Sequence, residues 1–67
     1  MPGDYVFIVT EYGIDYEYLH GVYTEQWAQV IATSLEFAGL NESGDTAHFY
    51  LKGTSQQVEI RRVMLDA

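Results

Sequence analysis

The stretch Thr24-Glu25-Gln26-Trp27-Ala28-Gln29-Val30-Ile31-Ala32-Thr33-Ser34-Leu35-Glu36-Phe37-Ala38-Gly39 decides how the rest of this chain is read. Trp27, Ala28, Ile31, Leu35 and Ala38 recur at helical spacing and share one face. Val30 and Phe37 widen that face on one side and Ala32 on the other, while Glu25, Gln29, Thr33 and Glu36 stand opposite. Thr24 is the expected N-cap, its hydroxyl accepting from a free N–H of the first turn. Glu25 follows where the helix dipole favours negative charge. Tyr23 and Ala28 have the spacing of a hydrophobic staple. Gly39 is placed as the residue just past the helix end. The stretch therefore predicts one helix from a Thr24 cap to Gly39. Its wide apolar arc lies across a sheet, with Trp27 in the core.

Upstream, Tyr5-Val6-Phe7-Ile8-Val9-Thr10 is β-branched or aromatic on both parities, which fits a strand inside a sheet. Tyr12-Gly13-Ile14-Asp15 reads as a turn. Tyr16-Glu17-Tyr18-Leu19-His20 reads as a second strand, its mixed polarity suited to an edge. Gly21-Val22-Tyr23 then leads into the helix.

Downstream, Asn41-Glu42-Ser43-Gly44-Asp45 is a polar loop and Thr46-Ala47-His48-Phe49-Tyr50-Leu51 a third strand. Gly53-Thr54-Ser55-Gln56 turns the chain into Gln57-Val58-Glu59-Ile60, a fourth strand. Apolar parity then shifts across Arg61-Arg62, from Val58 and Ile60 to Val63 and Leu65. A β-bulge accounts for the shift, as does a strand that leaves the sheet near Val63. The expected fold is α+β, ordered β-β-α-β-β, with one helix packed on a four-stranded sheet. The second and third strands are its candidate edges, and either could template a homodimer.

The 67 residues make one acidic domain, residues 1–67, too small to bury a thick core. Six tyrosines, three phenylalanines and one tryptophan compensate in part, since each aromatic buries a large area. With no cysteine there is no disulfide, thiol nucleophile or cysteine zinc site. Met1-Pro2-Gly3-Asp4 lacks the basic start of a signal peptide, and no stretch could span a bilayer. The expected compartment is the cytoplasm.

The formal net charge is -7, and the bases are confined to Lys52, Arg61 and Arg62. Such a field repels phosphate, so no direct nucleic-acid binding is expected. It attracts a cationic partner and speeds the encounter. The plainer reading of the same charge is solubility. Arg61 and Arg62 are expected to pair with local carboxylates, Glu59 or Glu17 among them.

His20 and His48 fall on different strands without metal-ligand spacing, so no metal site and no cofactor are expected. Ser43 and Ser55 have turn roles, and no hydroxyl stands beside a base, so the chain reads as a non-enzyme. The candidate partner-binding residues lie on the first hairpin, where Glu11, Asp15 and Glu17 alternate with Tyr12, Tyr16 and Tyr18. Tyrosine adds contact area at low entropic cost, and the carboxylates suit a surface rich in Lys and Arg.

Val6-Phe7-Ile8-Val9-Thr10, then Gly21-Val22-Tyr23-Thr24 and an alanine-containing helix, resembles a broad set of short bacterial and phage proteins. These share a strand, an exposed hairpin, a G-V-[YF]-[ST] step and a helix. The resemblance covers about residues 5–38 and implies a small, non-enzymatic, phage-encoded protein. In size and charge it is similar to acidic phage proteins that block host defence, anti-CRISPR proteins among them. The expected function is a protein-binding module that inhibits a basic nucleic-acid-handling partner. The alternative is a self-associating structural or assembly protein whose acidity serves solubility.

Overall fold

The computed structural model describes residues 4–64. Residues 1–3 of the start read above for a signal peptide, and Leu65 of the parity argument, lie outside those residues. The order is β1 (Tyr5–Tyr12), β2 (Glu17–Tyr23), α1 (Glu25–Ala32), β3 (Leu35–Leu40), β4 (Thr46–Leu51) and β5 (Gln57–Met64). The strands form a single antiparallel sheet in the order β2-β1-β5-β4-β3. The expected four-stranded sheet is thus corrected to five strands, and the extra one is cut from the predicted helix.

The helix begins as its sequence dictates. Thr24 sits in extended backbone, and its Oγ1 accepts from the Trp27 N–H at 3.3 Å. It ends at Ala32, seven residues short of Gly39. Two consecutive hydroxyl residues take over there: Thr33 Oγ1 donates to the Val30 carbonyl at 2.6 Å and Ser34 Oγ to that of Ile31 at 2.8 Å. Lys52 Nζ donates to the Thr33 carbonyl at 3.0 Å. With the Val30, Ile31 and Thr33 carbonyls satisfied, the helix has a stable end. Leu35–Leu40 is then free to pair with β4, and its ladder outweighs local helix propensity. Gly39, expected beyond a helix end, instead lies beside a bulge in β3, with φ +154.

The core lies between α1 and the sheet. Val9, Ala28, Leu35, Val58 and Ile60 are buried, with Phe7, Tyr23, Ile31, Ala32 and Phe49 packed against them. The helix contributes Ala28, Ile31 and Ala32, a stripe at i, i+3 and i+4. Trp27 stands roughly 100° around the helix from Ala28. It is 62% exposed, so its expected place in the core is corrected.

β1 lies inside the sheet, as its apolar run anticipates, and β2 is an edge. The other edge is β3; Thr46–Leu51, taken above as an edge, is interior. β5 is also interior. It pairs with β1 without interruption from Tyr5↔Met64 to Tyr12↔Gln57, so the expected bulge does not occur; the residues past Met64, on which the alternative exit near Val63 bears, lie outside the described residues. Its parity shift is absorbed by Arg62, which stays on the helix-side face with its guanidinium 4.7 Å from the Tyr5 ring centroid. The bulges fall instead at His20 in β2 and Ala38 in β3.

Asn41 organises the loop between β3 and β4. Its Oδ1 accepts from the backbone N–H groups of Gly44, Asp45 and Thr46, and its Nδ2 donates to Asp45 Oδ1 at 2.8 Å. Among the described residues no helix is long and apolar enough to cross a membrane.

Candidate functional site

The first hairpin does not present its six singled-out residues as one surface. A strand alternates its side chains between faces, and the register assigns each. Glu11 pairs with Tyr18, and both stand on the face that carries α1; Tyr12 pairs with Glu17, and both stand on the opposite, open face. Asp15 is exposed in the connecting turn.

On the helix side, Tyr16 and His20 join Glu11. The Tyr16 hydroxyl donates to Glu11 Oε2 at 2.7 Å, and His20 Nε2 lies 2.9 Å from Oε1. The bulge turns His20 to the same face as its neighbour Gly21, where its ring meets Tyr18 edge-on at 5.0 Å. Hydrogen bonds from Tyr16 first and His20 second hold the Glu11 carboxyl below its ordinary value. The same bond pushes the Tyr16 hydroxyl up, so it stays protonated and makes a poor nucleophile. Glu11 and His20 border a cleft of about 210 Å³ walled by Val9, Ile31, Leu35 and Leu51. Chemically the trio is a hydrogen-bonded brace across the hairpin.

The open face is organised differently. Register across all five strands lines up one transverse row: Glu17 on β2, Tyr12 on β1, Gln57 on β5, Tyr50 on β4 and Glu36 on β3. Two carboxylates close the ends, and two phenols flank a central glutamine. The next row runs Leu19, Thr10, Glu59, His48 and Gly39. Between these rows is an open groove of about 410 Å³ whose lining includes Tyr12, Ala38, His48, Tyr50, Gln57 and Glu59. The Tyr12 hydroxyl is raised by burial first and then by its hydrogen bond to the Glu59 carboxylate, with Arg61 opposing. Further along, the face becomes apolar, with Val6, Ile8, Val22 and Val63 around Arg61.

Of the residues on this face the sequence reading named Tyr12 and Glu17 and did not name Glu36, Tyr50 or Glu59. Their membership depends on register across three later strands, which no local pattern states. Among the described residues neither Arg61 nor Arg62 forms an ion pair with a carboxylate, which corrects their expected pairing with Glu59 or Glu17. Among the described residues no group of three or more His, Asp or Glu is placed to hold a metal ion.

Comparison with family models, curated proteins and solved structures finds no match for this chain.

Proposed function

We propose that this chain is a non-enzymatic protein-binding module whose open sheet face engages a basic protein. The observation that carries this reading is the transverse row. Glu17, Tyr12, Tyr50 and Glu36 stand on a face no helix covers, and Glu59 lies in the row behind. Carboxylates at the margins steer a cationic partner, and phenols nearer the centre supply contact area. Proteins that handle nucleic acid in the cytoplasm have surfaces of the complementary sign. Occupying such a surface inhibits it, which is how a phage-encoded anti-defence protein of the anti-CRISPR kind acts. The size and charge of the chain support that mode.

The test is affinity capture from the source cell followed by binding kinetics on the recovered protein. Glu17→Gln/Glu36→Gln should slow association and flatten its salt dependence. Tyr50→Ala should speed dissociation and weaken binding by roughly 2 kcal/mol or more. Unchanged kinetics in both variants, each confirmed folded, would remove the open face as the site. The isolated protein should show no saturable binding to DNA or RNA, even at low salt, where phosphate attraction is strongest.

A second reading, self-association, is favoured by a separate observation. The β3 edge exposes Phe37 at 60% and Leu40 at 61%, and the helix exposes Trp27 and Val30. An unpaired edge with one charge in six residues can template a second copy.

A further inference from the structure

We infer that the groove on the open face is a clamp for one arginine side chain of the partner, entered between Tyr12 and Tyr50 above Gln57. The inference rests on the reading of that face as the site for a basic protein, and it names the chemistry of the contact.

The geometry comes from the sheet. Tyr12 and Tyr50 sit at one level on β1 and β4, with β5 between them. Neighbouring strands are about 4.8 Å apart, so the two tyrosines rise from lines roughly 9.6 Å apart. A planar group stacked at about 3.5–4 Å from each ring needs them roughly 7–8 Å apart, so each ring leans inward by about 1 Å to close on it. Gln57 forms its floor, and Glu59 lines the same groove from the next row. Tyr12 is partly buried and its carbonyl accepts from Gln56 Nε2 at 2.7 Å, so one wall of the clamp is positioned before anything binds.

Guanidinium suits this site better than ammonium. It is planar, stacks on aromatic faces, sheds water more readily and can give a carboxylate two parallel hydrogen bonds. A lysine ammonium offers a point charge and no plane. The chain contains one pairing of this kind already, with Arg62 over Tyr5.

The row also sets the spacing of the ligand. Glu17 and Glu36 each stand two strands from Gln57, or roughly 9.6 Å on either side. A peptide in the polyproline II conformation advances about 3.1 Å per residue and returns every third side chain to the same side. Running across the strands, it brings basic residues three before and three after the central arginine near those carboxylates. The recognised segment is thus a basic residue, two spacers, arginine, two spacers and a basic residue.

The experiment uses three capped heptapeptides: Lys-Gly-Gly-Arg-Gly-Gly-Lys and the same peptide with Lys or Gln at the centre. Each is titrated into isotopically labelled protein and followed by amide chemical shifts. The arginine peptide should bind about tenfold more tightly than the lysine peptide of equal charge. Its shifts should centre on Tyr12, Gln57 and Tyr50. In Tyr50→Ala and in Glu59→Gln the preference for arginine should vanish. Equal affinity for the arginine and lysine peptides, or shifts spread over the acidic surface, would overturn the clamp. That comparison on the unaltered protein needs no variant to fold. The clamp and the broader reading fail separately. Equal peptide affinities with a partner still lost from Glu17→Gln/Glu36→Gln remove the clamp alone. Arginine-selective peptide binding with a partner indifferent to the open face removes the broader reading alone.

Discussion

The Tyr16 hydroxyl donates to Oε2 of Glu11 across 2.7 Å, and its ring occupies the space that any side chain at Gly13 would need. A Cβ built on Gly13 falls inside that ring, so glycine is required there for Tyr16 to reach Glu11. Gly13→Ala should leave the sheet folded and swing the ring away. Glu11 then loses the foremost group holding its carboxyl low. Its pKa, followed by carboxyl carbon shifts, should rise towards the ordinary glutamate value. An unmoved titration would show that the Tyr16 contact does not set it.

Acid should destabilise the fold through two carboxylates. Glu11 and Asp45 are both held below their ordinary values, Asp45 by Asn41 first and then by Ser43 and Thr46. A group whose pKa is depressed on folding contributes stability that is present above its unfolded pKa. That stability is lost as pH falls through the folded value. Urea midpoints should therefore drop as pH is lowered through and beneath the ordinary carboxylate range. Asn41→Ala frees Asp45 towards its ordinary value, so that variant should lose less of its remaining stability in acid. Identical acid slopes for wild type, Asn41→Ala and Glu11→Gln would contradict this account.

Leu35 and Trp27 test where the core lies. Leu35 is 8% exposed and packed under the helix. Leu35→Ala should cost about 2–4 kcal/mol, a large share of a marginal total. Trp27→Ala removes a larger but outward side chain and should cost less than about 1 kcal/mol. Denaturant melts give both values. A reversed ranking would place Trp27 in the core and rule out the observed rotation of α1.

The β3 edge gives the self-association reading a direct measurement. Sedimentation at high protein concentration should detect a dimer if Phe37 and Leu40 are covered by a second copy. Phe37→Lys/Leu40→Lys should then return it to monomer, since edge charge opposes pairing. A monomer at every concentration removes that reading.

Residues 5–10, the Thr24 cap and the loop around Asn41 were legible because each depends on local chemistry, whereas Tyr12, read as part of the turn, closes β1. Leu35–Leu40 was not. Leu35 and Ala38 continue the helical spacing from Ile31, while Leu35 and Phe37 against Glu36 and Ala38 satisfy a strand equally well. The choice is made by pairing with β4, a partner about ten residues further on. The Thr33-Ser34 pair was the available local sign, since both hydroxyls return to helix carbonyls. The candidate site was half legible for a related reason. Tyr12 and Glu17 share a hairpin, but Tyr50 and Glu36 join them only through β5.

That central place of β5 bears on how the chain is made. The β1–β2 and β3–β4 hairpins share no ladder with each other; each meets the rest of the sheet through β5 alone. During synthesis both hairpins therefore emerge before the strand that joins them, and each exposes an open flank until residues 57–64 arrive. Non-local pairing of this kind folds slowly and leaves edges vulnerable in the interval. The carboxylates on the nascent hairpins repel neighbouring copies in that interval, so the net charge of -7 guards the growing chain.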